Sequence, residues 1–160
     1  MASLPRATSP APRRGEGPFD VSPVAQELRI DGLRLAVRSW SGEGPPMMLL
    51  HGGMAHAGWW DLLAPRLGSQ CRPFALDRRG HGGSEWTDAT RYGWARDIAD
   101  IEEAMQQLDP AVWLLAGHSQ GGLLAAEIAL AGRVRLAGLI LVDAPLEPRS
   151  PELRRTGRAL

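Results

Sequence analysis

The fold is decided between Val112 and Gly132, where the chain reads VWLLAGHSQGGLLAAEIALAG. Val112 to Leu115 is a short, wholly apolar run, as expected of a strand covered on both faces. Gln120 to Ala131 reads as a helix with Glu127 as its only charge, so it is largely buried, and Gly132 stops it. Between the two lies Gly117-His118-Ser119-Gln120-Gly121, a G-x-S-x-G sequence followed by Gly122. A serine on a tight turn from strand to helix is held at the carboxyl edge of a sheet, where α/β proteins bind ligands. The free N–H groups of the helix start favour negative charge developing there. Flanking glycines let the helix and the neighbouring strand approach closely enough for the turn. Ser119 is therefore a candidate nucleophile, with its neighbour Gln120 as a candidate backbone donor.

Outward from this stretch, other short apolar strands alternate with helices. Met47 to Leu50 and Arg72 to Leu76 read as strands, and Leu139 to Val142 as the last one. Trp94, Ile98, Ile101, Met105 and Leu108 fall on one face of a helix from Trp94 to Leu108. Trp59 to Leu67 reads as a short helix stopped by Gly68. Upstream, Leu28 and Ile30, then Leu33, Leu35 and Val37, alternate around Asp31-Gly32, a strong hairpin signal. The pattern predicts an α/β fold: a mostly parallel sheet with helices on both faces and an N-terminal β-hairpin.

Two further motifs follow strands. His51-Gly52-Gly53-Met54 comes after the first apolar strand, and Asp77-Arg78-Arg79-Gly80-His81-Gly82-Gly83-Ser84 fits D-x-R-G-x-G-x-S after the next. Acyl transfer needs at least two N–H donors on the oxyanion. Gln120 would supply one, and Gly53 the other, with Met54 as the alternative. His51 reads either as a base or as a residue that shapes the turn.

In this order and spacing, the three motifs resemble the α/β-hydrolase fold superfamily, in its branch of lipases, esterases and cofactor-free haloperoxidase-like serine hydrolases. The resemblance covers about residues 26–146. It implies a three-layer sandwich lacking the last strands, and a hydrolase acting on an ester or related acyl bond. Ser119 would be the nucleophile, with Gly53 and Gln120 as oxyanion donors. Asp77, Arg79, Ser84, His81 and His118 would be scaffold. In this fold acid and base follow the serine. All four histidines, at 51, 56, 81 and 118, precede Ser119. Asp143, after the last strand, reads as the acid or as a strand-end structural aspartate. His56 is a remote substitute base, and Glu147 and Glu152 receive no role. The expectation is a truncated form that resembles the N-terminal part only and lacks the catalytic histidine. The alternative is a non-catalytic binding or interaction module that keeps the serine turn. An epoxide or haloalkane hydrolase is disfavoured, because such enzymes carry Asp where this chain has Ser119.

Composition bounds the remaining classes. Eighteen basic and eighteen acidic residues cancel, which gives no electrostatic case for nucleic acid or an anionic membrane. Every basic residue is Arg. With 22 Ala, 19 Gly and 13 Pro, this looks like GC-rich coding. Cys71 is the only cysteine, which excludes an intrachain disulfide and a multi-Cys metal site. It reads as an inert strand-edge thiol. No cofactor or metal is expected, and the substrate would be a small ester or acyl molecule. Residues 1–25 hold five prolines and three arginines without an apolar stretch, and read as a disordered tail, not a secretory signal. Residues 147–160 read as a linker or the start of a cap region. Together these imply a cytoplasmic protein. Trp59, Trp60, Trp86 and Trp94 could line an apolar pocket, but three of the four are expected in the core or on helix faces. The last strand, apolar on both faces, is expected to leave an unpaired edge through which the chain self-associates.

Overall fold

The computed structural model describes residues 22–145. Six strands form one sheet: β1 (Val24–Ile30), β2 (Leu33–Ser39), β3 (Pro46–Leu50), β4 (Arg72–Leu76), β5 (Trp113–His118) and β6 (Leu136–Val142). Their spatial order is β1-β2-β4-β3-β5-β6. β1 and β2 are an antiparallel hairpin, β2 meets β4 antiparallel, and β4, β3, β5 and β6 run parallel. The helices are α1 (Ala64–Leu67), α2 (Trp94–Leu108) and α3 (Gln120–Ala131).

Local chemistry explains the hairpin and the helices. Ile30 pairs with Leu33 across Asp31-Gly32, and both turn residues have positive φ, 49° and 75°. A two-residue turn of this hand matches the natural twist of the strands. In α2, Ile98, Ile101 and Met105 are buried, and Trp94 and Leu108 pack against the same cluster, so the five-residue stripe is the face that meets the sheet. α3 closes on Gly132, left-handed at φ 64°, as expected of a glycine stop.

β3 shows how the two faces are filled. Met48 and Leu50 point into a core with Leu35, Val37, Ile101, Met105, Leu124 and Ile128, under α2 and α3. Met47 and Leu49 point the other way, into a core with Trp40, Trp60, Ala64 and Ala75, under α1. The two-residue period of a strand thus separates one apolar run into two layers.

Three sequence expectations shift. The helix expected from Trp59 to Leu67 is broken into a 3-10 turn at Ala57–Trp60 and α1. Pro65 has no N–H, and its ring opposes the carbonyl four residues back, which prevents one continuous helix. β6 begins at Leu136, before Leu139, because Leu136 pairs with Trp113 across an irregularity in the register. The four tryptophans are no such shift: Trp60 is buried, Trp94 is half-buried on α2, Trp59 is exposed on the 3-10 turn, and Trp86 is exposed. β1 starts at Val24, ahead of the expected boundary at Gln26. The expected tail up to residue 21 and the expected linker at 147–160 lie outside the described residues. Cys71 is buried beside β4, and burial raises its thiol pKa.

Candidate active site

β5 and α3 place Ser119 on a turn with φ 51° and ψ −118°. A non-glycine residue held there is strained, and such strain persists only where the surroundings over-determine it. The Ser119 N–H donates to the Val142 carbonyl at 2.9 Å, and the Ser119 carbonyl accepts from Gly122 and Leu123. Three glycines make the turn possible. A Cβ on Gly117 would lie 2.2 Å from the Gly121 carbonyl oxygen, and one on Gly122 would lie 2.6 Å from Ala144 Cβ. A Cβ on Gly121 would lie 2.5 Å from the backbone oxygens of both Leu50 and His51. The last contact brings α3 against the end of β3, and with it the loop His51 to Met54.

That loop borders the serine. A Cβ on Gly52 would sit 3.5 Å from Ser119 Cβ, and one on Gly53 would sit 3.1 Å from Gln120 Oε1. The structure therefore brings Ser119, Gly53 and Gln120 together. Among the described residues, no backbone acceptor takes the N–H of Gly53, Met54 or Gln120. Asp143 stands at the same sheet edge, one residue past the carbonyl that holds Ser119, exposed and with φ 47°.

The loop is held by its carbonyls. His51 Nδ1–H donates to the Gly52 carbonyl at 2.8 Å, and the Arg78 N–H donates to His51 Nε2 at 3.2 Å. His81 Nε2 meets the Gly53 carbonyl at 2.9 Å. Both nitrogens of the buried His51 are thus occupied, which assigns it to shaping the turn and leaves it no free lone pair for proton abstraction. His56 caps the 3-10 turn by accepting from Gly58 N–H. His118 stacks on Trp59 with ring centroids 5.3 Å apart, and its Nδ1 is buried without a partner among the described residues. No ring nitrogen among the described residues is hydrogen-bonded to the Ser119 hydroxyl.

Burial lowers the His51 pKa to about 4, with the neighbouring Arg78 charge adding to the effect. The folded state then resists protonation while the unfolded chain takes a proton near 6.5. The His51 contribution to stability is present above pH 6.5 and is lost as pH falls toward 4, by on the order of 3 kcal/mol. Urea unfolding at pH 7 and at pH 4.5 checks this. His51→Asn is expected to show a shallower fall than the parent; equal slopes would contradict it.

The Asp77 loop, which the family resemblance implied to be scaffold, is tied into its surroundings by hydrogen bonds. Asp77 accepts from Ala57 N–H and Gly83 N–H, and Ser84 Oγ bridges the Asp77 carbonyl and the Ala36 N–H. Buried Arg79 pairs with both oxygens of Asp100, at 2.7 Å each. Sequence reasoning passed over Arg78, which occupies the free position of D-x-R-G. It is buried and reaches Asp97, the Gly52 carbonyl and Gln120 Oε1. Among the described residues no three His, Cys, Asp or Glu side chains group as a metal site, and no helix is long and apolar enough to cross a membrane.

Residues 47–160 match the sequence model of the alpha/beta hydrolase family. The chain belongs to that family. Mouse protein phosphatase methylesterase 1 is 39% identical over 107 residues, 63% of this chain and 28% of that protein. Mouse monoglyceride lipase is 31% identical over 165 residues, 98% of this chain and 54% of the lipase. Among solved structures, the thioesterase domain from the curacin biosynthetic pathway superposes with a TM-score of 0.74 at 31% identity, over 85% of this chain and 50% of that domain. This alpha/beta hydrolase chain thus spans from under a third to about half the length of these relatives.

Proposed function

We propose that this chain carries the nucleophile and oxyanion part of a serine hydrolase acting on an ester or related acyl bond. The observation that carries the proposal is the Ser119 turn, with the N–H groups of Gly53 and Gln120 beside it and uncommitted to any backbone acceptor among the described residues. Ser119 Oγ attacks the carbonyl carbon while water takes the hydroxyl proton, and the two N–H groups receive the charge that forms on the carbonyl oxygen; its collapse breaks the ester C–O bond, the alcohol leaves, and water then hydrolyses the acyl-serine. Asp143, at the same sheet edge, is either the acid or a strand-end structural aspartate. The family order places the base after the serine, and no histidine in these 160 residues does so. Ester-acting relatives, a methylesterase and a lipase, support the bond class. The expected result is slow release of p-nitrophenol from p-nitrophenyl acetate that depends on Ser119. Removing one triad member in well-studied hydrolases leaves roughly 10³–10⁴-fold over water, and less is expected here.

The Ser119 hydroxyl without a histidine partner also favours a second reading, a non-catalytic binding module that keeps the turn. Release no faster than that of Ser119→Ala would select it.

Self-association belongs to the same proposal. Among the described residues β6 is a sheet edge, and Leu139, Ile140 and Val142 are 39%, 48% and 42% exposed. Unpaired apolar edges template pairing with a second chain. Light scattering on the 160-residue chain is expected to give a mass above 17.3 kDa; a stable monomer would contradict this.

A further inference from the structure

We infer that Arg78 is the positioning residue of the oxyanion loop, fixing the Gly52–Gly53 peptide and the Gln120 side chain with one guanidinium nitrogen. The inference rests on the proposed reading of Gly53 and Gln120 as donors. Arg78 Nη2 donates to the Gly52 carbonyl at 3.3 Å and to Gln120 Oε1 at 2.9 Å. A trans peptide is planar, so its C=O and the following N–H point in opposite directions. Drawing the Gly52 carbonyl toward Arg78 therefore turns the Gly53 N–H away from Arg78. His51 Nδ1–H reinforces the same carbonyl, and His81 meets the Gly53 carbonyl, whose peptide sets the Met54 N–H.

Stability alone does not account for this arginine. Its side chain is 2% exposed and that of Asp97, 3.0 Å away, is 14% exposed. Burial lowers the Arg78 pKa and raises that of Asp97, so desolvation outweighs their attraction for both partners. An apolar side chain of similar size often replaces such a pair at no loss. Arg78 Nε is buried and has no partner among the described residues, so packing leaves even this guanidinium incompletely satisfied. An apolar side chain cannot supply a fork that reaches Asp97 with one nitrogen and spans Gly52 and Gln120 with the other.

The test uses the 160-residue chain and two readouts. One is the backbone order parameter of Gly53 by ¹⁵N relaxation. The other is phosphonylation of Ser119 by a fluorophosphonate, with the rate constant separated from the binding constant. Arg78→Met/Asp97→Asn removes both charges without stranding Asp97. In it the Gly53 order parameter is expected to fall from about 0.85 to below about 0.6. The phosphonylation rate constant is expected to fall about tenfold with binding unchanged, since the donor is misaimed and not deleted. Asp97→Asn alone keeps both Nη2 bonds and is expected to leave both readouts near the parent values. Arg78→Lys keeps the cation, loses the fork, and is expected to show the same pattern at smaller size. An ordered Gly53 in both Arg78 variants overturns the inference. So does an unchanged rate constant in both, in a chain whose parent is phosphonylated. If the parent reacts no faster than Ser119→Ala, the nucleophile reading fails, and the order parameter still decides the role of Arg78.

Discussion

Gly121→Val is expected to unfold the chain or lower its melting temperature by roughly 6–12 °C, the equivalent of about 3 kcal/mol for a domain of this size. The Cβ alone would lie 2.5 Å from two backbone oxygens, those of Leu50 and His51. Backbone at the end of a central strand cannot rotate aside as a side chain can. The helix must lift off β3, which separates Leu124 and Ile128 from Met48 and Leu50 in the core they share. Thermal unfolding followed by circular dichroism checks this. Gly132→Ala is the comparison: nothing lies within 4 Å of its Cβ, and only the positive φ of 64° opposes it. Its cost is expected to be about 1 kcal/mol. Equal melting temperatures for Gly121→Val and the parent would mean that α3 does not seat on β3 as described.

Gly53→Val is expected to behave in the opposite way, leaving the fold and removing the chemistry. Its Cβ would meet Gln120 Oε1 at 3.1 Å, a side-chain end that need give only by a few tenths of an ångström and can do so within its bond from Arg78. The loop would tolerate the change, but a branched side chain would stand beside the N–H proposed to hold the oxyanion. Loss of one such donor costs about 10²–10³ in rate. The acylation rate is expected to fall by about that factor while the far-UV spectrum and melting transition are unchanged. A Gly53→Val chain that reacts like the parent would transfer the donor role to the Met54 N–H.

These two glycines differ in how far the sequence could describe them. Gly121 lies in a five-residue motif between an apolar strand and an apolar helix, and every part of that context is local. The same is true of the Asp31-Gly32 hairpin, the Trp94 to Leu108 stripe and the Met47 to Leu50 strand. Each is specified by neighbours within a few residues, and each stands where its pattern places it. Arg78 was not legible, because its partners Gly52 and Gln120 are 26 and 42 residues away and meet it only after the sheet has formed. The break near Pro65 was missed because the apolar residues around it keep helical spacing while the proline removes the N–H that spacing requires. The exposure of Trp59 and Trp86 is set by the 3-10 turn and the loop that carry them, which hydrophobicity alone does not specify. Trp59 lies over the ring of His118 at the rim of the site. The turn-shaping reading of His51 was open in the sequence, but its partner was not, since the Arg78 N–H reaches the ring from a loop 27 residues away.

Ser119, on its strained turn, is proposed as the reactive group of this chain. The most direct measurement is covalent labelling of the 160-residue chain with a fluorophosphonate, followed by proteolysis and peptide mass spectrometry, in parallel with Ser119→Ala. One phosphonyl adduct is expected, on Ser119, and none in the variant. An adduct on another residue, or equal labelling of the parent and Ser119→Ala, would contradict it.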